Sequence, residues 1–514
     1  MSGTGILSNL VIGALAAATL GVSLLGPQLG ISRWASIVPA VALGGALIVA
    51  SVAPRLRVWG MARYARDLIL EGKHEEALEV LDRLIDRFGS SPDEQTEDMV
   101  AYALIARARV YEDLGRTQKA LVLYRDAIAR FADCDRPRVR DKVQIAISSG
   151  VRLLAGAGRS EEAATFLREQ TAGLRWTSDK AAQLAVSRAL LQESYLLGDA
   201  GQWQQAIAAA QRVKRELGSS RDSGLVELAV QAQVQIASAW RKAGEYEKAV
   251  AAASKVIRGF GHQEEPAIRT LVSDALLIKG LALGSLGRRE AEVVACQEVV
   301  DRSSDAIERW ACEIVGNAMV ALAMALDALG RTDEALAAHG RAAAWLEGRL
   351  EMLPEADLYE LAMMAHRANG DGLRELDRFD AALAEYDAAL ARLSAPGKSP
   401  DRGDQADLEV RRGAALDGLD RWGEALRAYD RAIRLYEKIA DDGGQSGLAT
   451  AMIDKAFALR ETGKHAAALA VCDDIVARFA GSDDAWTRKC VAEAKKVRRS
   501  LRARAASKPL GGDG

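Results

Sequence analysis

The sequence predicts an all-α chain, a solenoid of stacked helical hairpins preceded by a two-helix transmembrane hairpin. Three observations carry this expectation. Of 514 residues, 49% are apolar but only 5% aromatic, and Ala, Leu, Arg and Glu dominate where a β protein would be rich in Val, Ile, Thr and Tyr. Residues 1–54 hold a single charged side chain, Arg33, although 27% of the whole chain is charged. Beyond them, glycines recur every 43 residues. The balance of 68 Lys+Arg against 71 Asp+Glu leaves a net charge of −3, so nucleic acid is not an expected partner.

The first element is a membrane anchor over 1–58. Residues 6–26 and 35–53 are two largely apolar runs, each matching the roughly 20 residues a helix needs to cross a bilayer. Between them, Pro27, Gly30 and Trp34 supply turn formers and an interfacial aromatic. Arg55, Arg57, Arg63 and Arg66 follow the second run before the first acidic residue, Asp67. The positive-inside rule then puts the rest of the chain in the cytoplasm and the N-terminus on the same side, as in a multi-pass protein of a bacterial-type inner membrane. Gly13, Ala17 and Gly21, like Ala42, Ala46 and Ala50, lie four apart. Such spacing suits close helix packing, within one chain or between copies in a homo-oligomer, although an Ala-rich composition produces it too. A cleaved signal peptide fits less well, because no Lys or Arg precedes the first run. The five cysteines are odd in number, far apart and without a C-x-x-C pair, so they read as reduced core residues.

The second element, 59–485, is ten repeats. Glycines stand at 72, 115, 158, 201, 244, 287 and 330, and after a step of 47 the series resumes with Asp377, Asp420 and Gly463. Gly and Asp suit the left-handed backbone of a tight helix–helix turn. Five residues on, nine of the ten repeats have Ala, the exception being Glu292; four residues before the turn every residue is apolar. Seven before it come small residues, among them Ala65, Ala108, Ser194, Gly280, Gly370 and Gly413. These columns predict two antiparallel helices packed through a small-residue contact. Sixteen after the turn, large apolar residues such as Phe88, Phe131 and Phe479 close the second helix, with Ser303 the exception. The longer step is expected to bulge as a loop around Leu353–Ala356. The third element, 486–514, is a basic capping helix and tail.

Two residues after the turn stand Trp203, Tyr246, Phe379 and Trp422. The combined pattern Gly-x-aromatic-x-x-Ala, seen as Asp420-Arg421-Trp422-Gly423-Glu424-Ala425, resembles the tetratricopeptide repeat. The resemblance covers about 59–485 and implies a right-handed superhelix that binds proteins in its concave groove. Its usual period is 34, so the 43-residue repeat departs from the pattern by more than two helical turns. HEAT and armadillo arrays have periods of about 40 to 47, but the Gly and Ala columns favour the tetratricopeptide reading. In arrays of this kind the first helix of each repeat faces inward, and the position six before the turn points into the groove. Here that column begins Arg66, Arg109 and Arg152, a basic ladder suited to carboxylates or phosphates. The clamp that some members use for chaperone tails relies on Asn and Lys, which this column does not reproduce.

No catalytic, cofactor or metal residues are expected. Gly397-Lys398-Ser399 lacks the upstream glycine of a phosphate loop, the five histidines form no His-x-x-x-His pair, and no Gly-x-Ser-x-Gly elbow occurs. The expected function is therefore a membrane-anchored scaffold that recruits partner proteins. A ligand-responsive regulatory subunit of a partner enzyme, or a periplasmic assembly factor if the topology is reversed, are the alternatives.

Overall fold

A computed structural model of the chain describes residues 56–91, 93–131, 134, 136–171, 180–218, 220–353, 358–393, 401–439 and 442–506. The two expected membrane spans lie outside these residues. Among the described residues there are only helices and their connections. They alternate as first and second members of hairpins: α1 (56–70) and α2 (His74–Phe88), α3 (Glu94–Asp113) and α4 (Thr117–Arg130), α5 (Pro137–Gly156) and α6 (Ser160–Thr171), α7 (Lys180–Asp199) and α8 (Trp203–Leu217). The series continues with α9 (Ser223–Lys242) and α10 (Tyr246–Phe260), α11 (Pro266–Ser285) and α12 (Arg289–Ser303), α13 (Arg309–Ala328) and α14 (Thr332–Met352). It ends with α15 (Tyr359–Glu375) and α16 (Phe379–Leu393), α17 (Arg402–Gly418) and α18 (Trp422–Tyr436), α19 (Asp442–Glu461) and α20 (His465–Phe479), and the final α21 (Ala485–Ala506). The chain divides into two compact units at residue 212.

Every turn within a hairpin is built the same way. The eight glycines of the 43-residue series have φ between 70 and 78°, and Asp377 and Asp420 take 56 and 58°. Around each, the amide one residue after the turn donates to the carbonyl four before it, at 2.8–3.0 Å, as Arg116 does to Tyr111 and Arg421 to Leu416. This Schellman closure satisfies two carbonyls at the first helix's end, and it needs a residue that tolerates positive φ.

The small-residue columns meet across each hairpin. The nine alanines five after the turn are at most 1% exposed. In α7 and α8 the contact is direct, since Ser194 Oγ, seven before the turn, donates to the carbonyl of Ala206, five after it, at 2.8 Å. Glycine in the column makes room for a larger side chain of the second helix: Gly280 faces Cys296, and Gly370 and Gly413 face aromatic rings. A Cβ on Gly370 would lie 2.7 Å from the Tyr386 ring, and one on Gly413 2.5 Å from Tyr429. Both tyrosines stand nine after their turn and donate back to a carboxylate of the first helix, Tyr386 to Asp371 at 2.8 Å and Tyr429 to Asp417 at 2.6 Å. Tyr124 repeats this with Glu112 at 3.0 Å, and His339 with Asp327 at 2.7 Å.

The breaks in the columns are compensated locally. Glu292, which replaces the alanine, is buried and paired with Arg289 at 2.7 Å. Gly284 makes its room, because a Cβ there would lie 2.4 Å from the Glu292 carboxylate. Ser303, in place of the large apolar residue, is buried and shares a 2.8 Å hydrogen bond with Ser273. The longer step is taken up in part by α14, which runs 21 residues where most second helices have 15; residues 354–357 lie outside the described ones.

Neighbouring repeats are joined by a column that sequence inspection overlooked. Fifteen residues after the turn, an arginine reaches the end of the preceding second helix. Arg130 donates to the carbonyl of Gly89, Arg302 to that of Gly261 at 2.8 Å, Arg392 to the Glu347 carboxylate at 2.8 Å and Arg478 to Glu437 at 3.2 Å. Trp345 fills the same role on the Ser304 carbonyl at 3.0 Å. A cation or donor there complements the helix's negative C-terminal end. In the unit from 213 onward, apolar clusters centred on α9–α15, α15–α18 and α18–α21 overlap along the chain. The last is closed by Cys490, Val491, Ala494, Val497 and Leu501 of α21, as a capping helix requires.

Gly413→Ala should lower the urea midpoint by an amount equivalent to about 1–3 kcal/mol, because the ring cannot retreat. In a Tyr429→Ala background the same change should be nearly neutral. Gly423→Ala, where nothing lies within 4 Å of the added methyl, should be neutral or stabilise by up to about 1 kcal/mol.

Candidate functional site

In the N-terminal unit, the first helices α1, α3 and α5 line a cleft of about 410 Å³. Its floor is apolar: Ile69 and Leu70 of α1, Tyr102 and Ile105 of α3, and Ile145 of α5. Leu70 and Ile145 remain 79% and 48% exposed, unusual for large aliphatic side chains on a packed array. Around this floor stand Arg66, Arg109, Arg138 and Lys142 against Asp113 and Asp141. A second pocket of about 260 Å³ adjoins it, sharing Arg66, Tyr102 and Lys142 and adding Trp59, Ala62, Arg63 and Met99.

The cations differ in how they are held. Arg66 makes an exposed ion pair with Asp67 at 3.2 Å, worth little in water. Lys142 is fixed to Asp98 at 2.5 Å with both side chains largely covered. Arg109 and Arg138 have no hydrogen-bond or ion-pair partner among the described residues. Burial pushes the Tyr102 phenol's pKa up, and the positive charges of Arg66 and Arg109 oppose that shift, so both act on the cleft floor. Of the three arginines of the expected ladder, the structure brings Arg66 and Arg109 to one cleft. Arg152 is not among its lining residues and instead pairs with Glu112 at 3.1 Å.

Arg138 and Lys142 were not singled out from the sequence. The lining residues lie two to six before the turn on α1, two to thirteen before it on α3, and thirteen to twenty before it on α5. The cleft therefore runs obliquely across the helices, advancing about seven positions per repeat, and a column at constant register leaves it by the third helix. The signal that finds them is the same residue type read along that diagonal.

Elsewhere, several clusters of charged groups are tied into the array. In the unit from 213 onward a cleft of about 720 Å³ is lined by Arg367, Asp401, Asp404, Asp407 and Tyr436 among others. Arg411 bridges Asp371 and Asp407 beside it, at 2.5 and 2.8 Å. Burial, then the nearby Asp401, raises the Asp404 pKa. Burial and the neighbouring Asp417 push Asp454 up to about 7, against Arg374, and burial raises Asp417 to about 6. His366 of α15 is held between Glu385 of α16, at 2.6 Å on Nδ1, and Glu347 of α14, at 3.0 Å on Nε2. Burial alone would lower its pKa, but the two carboxylates outweigh it and the net shift is upward.

Among the described residues no three or more His, Cys, Asp and Glu side chains are grouped to hold a metal ion. The five cysteines are unpaired, and burial raises Cys296 to about 12, so it is not a nucleophile at neutral pH. One described helix, α13, is long and apolar enough to cross a membrane; 72% of its apolar window is buried as the core of its repeat.

A family profile described as "Tetratrico peptide repeat" matches residues 101–213 and 215–301. Over those residues the chain matches the tetratricopeptide-repeat family. Solved structures with a similar course of the chain include the apo form of RapI, at 12% identity over 70% of this chain and 98% of that one, TM-score 0.43. The apo form of the quorum sensor NprR from B. thuringiensis follows at 12% identity, covering 74% of this chain and 98% of that one, TM-score 0.40. Aspartyl phosphate phosphatase F from Bacillus subtilis shows 12% identity over 89% of this chain and 96% of that one, TM-score 0.37. No curated protein sequence matches the chain. The hairpins place first helices of mostly 20 and second helices of mostly 15 residues around the left-handed turn, which accounts for the 43-residue period.

The His366 clamp makes stability depend on pH. Its folded pKa lies above the ordinary value of 6.5, so the stabilisation is complete below about pH 6 and fades as pH rises through the raised value. His366→Gln should therefore cost about 1–2 kcal/mol near pH 6 and clearly less near pH 9, as read from thermal melts across that range.

Proposed function

We propose that this protein is a membrane-anchored scaffold that binds partner proteins, and that the cleft between α1, α3 and α5 receives an acidic, partly apolar segment of such a partner. The observation that carries the reading is the pair Arg109 and Arg138, two exposed guanidinium groups without a partner among the described residues, beside an apolar floor. A carboxylate bound there forms charge-assisted, bidentate hydrogen bonds. Apolar side chains next to it would cover Leu70 and Ile145. Recognition then combines charge for orientation with burial for affinity.

The anchor belongs to the same proposal and rests on sequence, on the two apolar runs at 6–26 and 35–53 and on the arginines after them. Holding the array at the cytoplasmic face of an inner membrane raises the local concentration of whatever it binds. Binding, and not catalysis, is the role this arrangement suits.

Peptide display on the purified array should enrich segments combining Asp or Glu with large apolar residues. Their affinity should fall with added salt. Reversing Arg109 and Arg138 together to Glu should weaken them by about tenfold or more. Enrichment of basic peptides, or unchanged affinity after reversal, rules the cleft out. A reporter fused after Gly514 should be active only in the cytoplasm; periplasmic activity would overturn the topology.

A further inference from the structure

We propose that the smaller pocket, walled by Trp59, Arg63, Arg66, Tyr102 and Lys142, holds the phosphate of an anionic phospholipid headgroup. The inference rests on the membrane-anchored reading above and adds a second ligand class beside the protein-binding cleft.

Three cations and two aromatic rings wall this pocket, and none of its described lining residues is a carboxylate. Arg66 and Lys142 are each neutralised from outside, by Asp67 and Asp98, which leaves Arg63 as the cation without a carboxylate among the described residues. Its guanidinium lies 5.6 Å from the centre of the Trp59 ring, a stacking contact that orients the group while leaving its donors free. A phosphate oxygen is the acceptor that such donors match.

The position along the chain points to lipid as its source. Trp59 follows the end of the second apolar run by six residues and Arg63 by ten. Ten residues span about 15 Å as helix and at most about 35 Å extended, so α1 stays close to the membrane surface. On α1, residues 56, 59, 60, 63 and 64 are all exposed at helical spacing and form one face. That face carries Leu56, Trp59 and Tyr64, exposed by 37, 43 and 55%, together with Arg63. Exposed Trp and Tyr interleaved with arginine is the composition of a headgroup-level surface, and the exposed Arg57 extends its charge.

The test uses the full chain carrying Gly60→Cys, where the new side chain meets nothing within 4 Å, labelled with a polarity-sensitive dye. Cys134, the one cysteine that is not buried, is replaced by Ser. On vesicles of phosphatidylcholine mixed with phosphatidylglycerol the dye emission should shift to the blue, with little change on phosphatidylcholine alone. Arg63→Gln should weaken the dependence on anionic lipid about fivefold, with helicity by circular dichroism unchanged. Equal responses on both vesicles, an unaffected Arg63→Gln variant, or the same shift with inorganic phosphate and no vesicles would each overturn the proposal. Carbonate extraction separates it from the anchor. Retention in the membrane without the lipid-dependent shift removes this inference alone, and release with the shift intact removes the anchor alone.

Discussion

A helical hairpin cannot bury both of its apolar faces by itself, and most of this structure answers that constraint. The left-handed turn folds two helices of uniform length against each other. One face of the pair then remains for the next pair. The turn is a local requirement, met by glycine eight times and by aspartate twice. The stacking is collective, and it is reinforced at the surface by arginines that reach the end of the preceding second helix. Within each unit the core is therefore a seam between neighbours and not a centre.

This arrangement explains how the repeats tolerate irregularity. Because each contact is short-range, a deviation at one position is balanced by a partner a few ångströms away. Gly284 is absent a side chain where Glu292 brings one in. Gly370 and Gly413 face tyrosine rings, and Ala108 stands in the same column of the repeat that holds Tyr124. Ser303 and Ser273 satisfy each other where apolar neighbours would leave a hydroxyl stranded. A residue in the wrong class for its column is a reason to look for its counterpart on the opposite helix.

Charge follows a different logic from burial. Many carboxylates and guanidinium groups are paired between adjacent helices, as in the Arg411 bridge or the His366 clamp. The N-terminal cleft instead holds Arg109 and Arg138, without a partner among the described residues, beside exposed aliphatic side chains. What sets this cleft apart is that two guanidinium groups without a partner among the described residues stand over an uncovered apolar floor.

The turn positions, the small-residue contact and the alternation of helices were legible in the amino-acid sequence, because each depends on residues close together in one hairpin and repeats with the period of the chain. The ladder of Arg66, Arg109 and Arg152 was legible as a column but not as a site. Successive first helices are staggered, so the cleft crosses them obliquely, leaving Arg152 turned toward Glu112 and admitting Arg138 and Lys142 in its place. That stagger comes from how whole helices pack against one another, a property of side chains spread over several repeats. Sequence alone thus determined what each hairpin is, and only the tertiary structure decided which side chains of different hairpins stand together.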